Sequence, residues 1–357
     1  MFKKTSILLQ SLLLILMMST ATLFVACGDD EDEIVAGDKT QLNALIADLE
    51  AMANSATTAD YPQAAIDEFK AAIQTAKTAA QGTLTQEQIN NLITQLNEAK
   101  ATFESKAYGY IDESLYLIMG WHFDEGEGTT TTDYSSNHYV GTFKRGSVDV
   151  LGNDALMPTW TSNGLKGKAI YYNKGAHLEV PYASAFLSSS LTISVWVKPD
   201  ELYEHNYIVS QNYWNGYKLQ TQGAGKPFFT YKKADGDIID ADNETDNSIK
   251  VGEWNHIVVT LDGTAKLLKF YVNGTLTKTW DEATKGIGPL TQTLTNPDPQ
   301  PFIIGGVATD AELLANFMEW TTAENLGYFK GIIDELRLYN IALTEGQVTK
   351  LYNSDMP

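Results

Sequence analysis

From Leu115 onward the chain is built of short alternating phrases broken by Gly and Asn, and no other feature constrains its fold as tightly. In "LTISVWVKP", Leu191, Ile193, Val195 and Val197 alternate with Thr192, Ser194, Trp196 and Lys198. Successive side chains on a strand point to opposite faces, so such a phrase buries one of them. "WNHIVVTLDG" and "KLLKFYVNGTLTK" predict two more strands and a hairpin, its turn marked by Asn273-Gly274. Many strands at this spacing, with no helices between them, predict a β-sandwich or a barrel.

Residues 38–107 carry a helical period instead. Leu42, Leu45, Ile46, Leu49 and Met52 fall on one face of a first helix, with Asp38 and Gln41 placed to cap it. A second starts at Pro62, carries Ile66, Phe69, Ile73 and Ala76, and stops at Gly82. The third opens on a capping box of Thr85 and Gln88 and a staple of Leu84 and Ile89. Its stripe continues through Leu92, Ile93, Leu96 and Phe103. Short connections between such helices predict an antiparallel three-helix bundle. This unit has no His or Cys, and its acids are scattered among Lys and Gln, so it carries no catalytic constellation. It resembles the small FIVAR-type helical modules of bacterial surface proteins, which implies a spacer and leaves a binding role open.

The strand-rich part supports a more specific resemblance. "LIMGWHFDEGEGTTTTDYSSNHYVGTF", "GLKGKAIYYNKGAHLEVP", "LTISVWVKPD", "EWNHIVVTLDG", "LKFYVNGTL", "FIIGG" and "FKGIIDELRLYNIALTEGQVTKLY" follow in that order. Together they resemble a concanavalin A-like, laminin G-type domain over residues 115–357. The resemblance implies a mainly β fold: a two-sheet antiparallel jelly-roll sandwich, here preceded by a small three-helix bundle. Trp121, Trp196 and Trp254 sit in strand phrases and are expected in its core. Thr344, with Gln347 three residues on, caps a closing helix that presents Val348 and Leu351 to the sandwich.

Ahead of both lies an address. Residues 1–26 read as a signal peptide: Lys3 and Lys4, then an apolar run from Ile7 to Met18, shorter than the roughly 20 residues a membrane span needs. "FVAC" resembles the lipobox of bacterial lipoproteins, with Phe24 where that family usually has Leu, and implies that Cys27 is lipidated. Residues 27–37 read as an acidic, disordered tether. "CGDDEDE" also resembles the export signal of Bacteroidetes-type surface lipoproteins. The expected location is therefore the bacterial outer membrane, lipid-anchored through Cys27 and exposed at the cell surface. Cys27 is the one cysteine of the chain, so no structural disulfide is possible. The formal net charge of −20 argues against nucleic acid and anionic lipid as partners, and is compatible with neutral sugars and with cations.

Candidate site residues follow. In "GIIDELRL", strict alternation places Ile332, Asp334, Leu336 and Leu338 on one strand face. A carboxylate on an apolar face must be paired, hydrogen-bonded or metal-bound. The resemblance implies a structural calcium held by Asp334, the Asp124 region of "FDEGEG" and the Gly175 carbonyl, all hard oxygen donors. The acidic stretch 235–247 departs from an EF-hand at Glu244 and Thr245 and reads as an exposed hairpin tip. For sugar recognition, exposed aromatics beside amides and acids are the expected chemistry. Tyr203, His205, Asn212, Tyr213 and Trp214 form the densest such patch, and Trp320 belongs to a second, in an insertion between "FIIGG" and the last strand.

Catalytic motifs are sparse. Laminarinase-like hydrolases of this fold alternate carboxylates on one strand, a spacing absent here. Asp281 and Glu282 are adjacent, and Glu125 and Glu127 lie in a Gly-rich loop. The five histidines lack zinc spacing, and there is no G-x-S-x-G elbow. The expected function is non-catalytic capture of polysaccharide or host glycan, serving neighbouring glycan-uptake proteins. Two alternatives stay open: an adhesin for a host or matrix protein, and a glycoside hydrolase or lyase with an unrecognised site.

Overall fold

The structure, a computed structural model, describes residues 35–58, 60–294, 299–316 and 327–357. The proposed signal peptide and Cys27 lie outside the described residues, as do Phe317 and Trp320. Among the described residues no helix is long and apolar enough to cross a membrane.

Among the described residues three helices come first: α1 (Thr40–Ser55), α2 (Gln63–Ala79) and α3 (Gln86–Ser105). Their predicted stripes are the buried ones, including Leu42, Ile46, Leu49, Phe69, Ile73, Ile89, Leu96 and Phe103. The Thr85–Gln88 box forms as expected, at 2.9 and 3.3 Å. The chain divides into two compact units, one containing Ala71–Glu98 and the other Met52–Lys70 with Ala99–Pro357. Within the first, Lys77 pairs with Glu50 at 2.6 Å and the Lys39 ammonium donates to the Ala80 carbonyl. Within the second, Phe103 stacks on Tyr61 and Phe69.

Sixteen strands follow among the described residues. In chain order they are β1 (Leu117–Trp121), β2 (Thr130–Thr132), β3 (Val140–Lys144) and β4 (Thr159–Thr161). Then come β5 (Ala169–Tyr172), β6 (His177–Val180), β7 (Leu191–Pro199) and β8 (Asn206–Gln211). Next are β9 (Tyr217–Thr221), β10 (Pro227–Lys232), β11 (Ile238–Asp242) and β12 (Asn255–Asp262). The last four are β13 (Leu267–Val272), β14 (Thr275–Asp281), β15 (Phe302–Ile304) and β16 (Gly331–Tyr339). Two further helices, α4 (Asp310–Asn316) and α5 (Glu345–Asp355), flank β16 in sequence.

The strands make two antiparallel eight-stranded sheets, as a jelly-roll sandwich requires. The first runs β14-β13-β12-β7-β16-β5-β4, with β1 also on β16; the second runs β11-β10-β9-β8-β15-β6-β3-β2. The core lies between them and draws on both: Ile193, Val195, Ile257, Val259 and Phe270 from the first, Leu178, Val209, Leu219 and Phe229 from the second. The predicted β13–β14 hairpin turns on Asn273 (φ 50°) and Gly274 (φ 73°). Two positive φ values in succession define the type I′ turn that matches strand twist.

The tryptophan expectation holds in part. Trp121 is in the core, whereas Trp196 lies on the opposite face of its sheet, stacked on His256 and Tyr352. Trp254 precedes β12 and is only half-buried.

Candidate functional site

The aromatic patch read from the sequence brackets β8. Tyr203 and His205 precede the strand; Asn212, Tyr213 and Trp214 follow it. The Tyr203 hydroxyl donates to the Tyr328 carbonyl, and His205 lies over the Tyr207 ring. Tyr213 is buried and its hydroxyl donates to Glu312 of α4 at 2.6 Å. With Tyr207, Val307, Leu313 and Tyr328 it forms a compact cluster, against which Trp214 packs. Asn212 and Tyr213 are both left-handed, at φ 49° and 43°, a strained state for an aromatic residue. The Asn212 carbonyl oxygen accepts from Gln211 and from the Gln300 amide, while its side-chain amino group is buried with no partner among the described residues. Most of these side chains therefore brace the turn and the α4 segment.

The same sheet carries a group that the sequence reading passed over. Tyr217 and Leu219 of β9 point into the core, so Lys218 and Gln220 point out. Lys218 is nevertheless only 6 % exposed, and Gln220 and Thr230 are buried too. The Lys218 ammonium donates to the Gln220 side-chain oxygen at 3.0 Å and lies 5.0 and 5.4 Å from the Tyr207 and Phe228 ring centres. The Thr230 hydroxyl donates to Asp240 at 2.6 Å. Phe228 is half-buried and Asp240 exposed. Burial pushes the Lys218 ammonium down to about 8, against the opposing pull of Asp240. The signal was the alternation of "YKLQT", which puts a cation and an amide beside each other on the outward face.

The calcium candidates separate. Asp334 is fully buried, and its two oxygens accept from the Leu165 and Glu335 amides at 2.8 and 2.9 Å. Burial pushes this carboxyl up to about 8, and the charges of Glu335 and Asp124 add to the rise. Asp124 accepts from the Lys168 amide, so the two carboxylates hold opposite ends of one turn, Leu165–Lys168. The Gly175 carbonyl meets the His177 ring at 2.8 Å, and Gly146, Leu151 and Tyr328 lie beside its Cα. Among the described residues no three His, Cys, Asp or Glu side chains converge on a metal position. Asp334 and Asp124 fit calcium in donor type and spare lone pairs.

The strand carrying Asp334 also departs from strict alternation. Its register to β7 shifts between Asp334 and Arg337, and Glu335 is left-handed at φ 46°. Ile333, Leu336 and Leu338 consequently line the core, instead of the expected face of Ile332, Asp334, Leu336 and Leu338.

The groups weighed for catalysis hold structure. Asp281 caps the turn Glu282–Lys285, Glu282 pairs with Lys266, and Glu125 accepts from Thr131 and Thr132. Ser194 and His256 lie 2.8 Å apart, the spacing of a nucleophile and its base. Both are fully buried, and the other His256 ring nitrogen has no partner among the described residues. Burial pushes His256 down to about 3, with Arg337 adding to the fall, so it is neutral and inaccessible.

Several solved structures resemble this one. Domain 4 of AbnA, a GH43 extracellular arabinanase from Geobacillus stearothermophilus solved with arabinotriose, is 22 % identical with a TM-score of 0.47, over 66 % of this chain and 98 % of that one. The binding domain of Paraclostridial Mosquitocidal Protein 1 is 18 % identical with a TM-score of 0.46, over 67 % of this chain and 52 % of that one. The botulinum neurotoxin serotype G binding domain is 14 % identical with a TM-score of 0.42, over 67 % and 51 %. The chain thus spans about half the length of these two toxin domains. No curated protein matches it. Residues 173–349 match the model of the concanavalin A-like lectin/glucanases superfamily.

Proposed function

We propose that the sandwich is a non-catalytic carbohydrate-binding module whose ligand lies on the outer face of the second sheet. One observation carries this reading: an ammonium, an amide and a hydroxyl, from Lys218, Gln220 and Thr230, form a buried polar floor beside the half-buried Phe228 ring. A solvated sheet face normally holds exposed charges, whereas a sugar site pairs fixed hydrogen-bonding groups with a ring. The superfamily match over residues 173–349 agrees with this reading. The structural duties of Asp281, Glu125 and His256 favour binding over hydrolysis. A calcium ion on Asp334 and Asp124 would brace the fold away from that floor, drawing the rest of its six to eight oxygens from backbone and water. A lipid on Cys27 and the acidic tether would display the module at the outer membrane, beside proteins that take up the captured glycan.

A glycan array probed with the purified chain tests the proposal. Binding to at least one glycan, weakened about tenfold by Phe228→Ala, is expected, since stacking and packing on one ring contribute roughly 1–1.5 kcal/mol. Silence across the array, alongside binding to a matrix protein, would sink it.

A further inference from the structure

We infer that the patch around Lys218 selects sugars bearing a carboxylate, with the ligand's acid group pairing with the Lys218 ammonium. This rests on the glycan-binding reading above and narrows it to a ligand class. The chain has 45 acidic and 25 basic residues, and several of its partly buried lysines sit beside an acid. Lys144, Lys226, Lys233, Lys278 and Lys330 each meet a carboxylate within 4 Å. Among the described residues Lys218 is the one buried lysine, and it forms no ion pair. An ammonium has three donors, and Gln220 takes one of them. The Tyr207 and Phe228 rings lie beside the same ammonium, and its charge reaches His205. Asp240, the acid whose field reaches it, is bound to Thr230.

A buried cation without an anion weakens the fold, because desolvation is not offset by a Coulombic partner. The fall of the Lys218 ammonium to about 8 reports the same deficit. A carboxylate arriving with the ligand would remove it, accept the two spare N–H donors and leave the sugar ring facing Phe228. The net charge of −20 opposes an anionic polymer at long range. At physiological salt that repulsion is screened beyond about 8 Å, so contact at the patch is decided locally.

The test measures binding of the full chain to oligogalacturonate, sialyllactose, and neutral galacto- and gluco-oligosaccharides, for wild type and Lys218→Met. Wild type should prefer a carboxylated probe, and the two acidic arms tell a uronic from a sialic source. Lys218→Met should weaken that preference on the order of 10- to 100-fold, the worth of a hydrogen bond to a charged group, while its melting temperature stays level or rises. Neutral probes bound as tightly as acidic ones, unaffected by Lys218→Met, would overturn the inference and leave the glycan reading standing. No glycan bound at all would remove both. If Lys218→Met does not fold, thermal shifts of wild type with galacturonate and with galactose decide. A rise with the acid alone supports the inference, and equal rises overturn it.

Discussion

A carboxyl group removed from water stays neutral or finds a cation, and Asp334 has been given two backbone amides and no cation among the described residues. Its folded pKa, about 8, lies above the ordinary carboxylate range. The folded state therefore holds a proton that the unfolded state releases near pH 4. Stability from this group is complete at low pH and falls as pH rises toward 8. Calcium on Asp334 and Asp124 would reverse that trend by favouring the charged form. In EDTA, the wild-type melting temperature should fall between pH 5 and pH 8. At pH 7.5, calcium at a hundred times its dissociation constant should raise it on the order of 5–10 °C. Asp334→Asn should flatten the pH trend and abolish the calcium shift. A wild-type curve unmoved by calcium would remove the metal from the description.

The elements are held together by a second buried charge. Arg337 of β16 donates to both oxygens of Asp355 at 2.7 and 3.0 Å, and the Trp196 indole donates to the same carboxylate. This fork clamps α5 to the first sheet, where Val348 and Leu351 pack on Val258, Tyr271 and Tyr339. Removing the acid leaves the buried guanidinium with Glu335 as its remaining acid, at 2.5 Å, and strips it of two charge-assisted hydrogen bonds. Asp355→Ala should therefore cost about 1.5–3 kcal/mol in denaturant unfolding; a loss under about 1 kcal/mol would show that α5 is held by its apolar face alone. Some of this element was legible beforehand: Thr344 and Gln347 announce its start, and the capping box forms. Its clamp was not legible, because Asp355 comes from a separate element; nor was the β16 bulge, which puts Ile333 in the core where Ile332 and Asp334 were expected. Alternation reads pairs of faces and cannot detect an inserted residue. Lys218 was missed for a related reason. A lysine between two core residues reads as a solvated face, and its burial depends on Tyr207, Phe228 and Gln220 from around the sheet.

For the whole molecule, the decisive quantities are charge and attachment. A chain of net charge −20 is repelled by anionic lipid headgroups, so its charge does not hold it at a membrane. If it is displayed on one, a covalent lipid must supply the affinity, and Cys27 is the one residue with the chemistry to carry it. A single acyl chain binds reversibly, at about 10⁴ M⁻¹, so stable anchoring against that repulsion calls for more than one chain. Expressed in a bacterium that processes lipoproteins, wild type should incorporate labelled palmitate and partition with outer membranes. Cys27→Ser should lose the label and leave the membrane fraction, while its glycan binding in solution stays unchanged. A Cys27→Ser protein that still sediments with membranes would place the anchoring elsewhere in the chain. A change in its glycan affinity would mean that attachment and recognition are not separable.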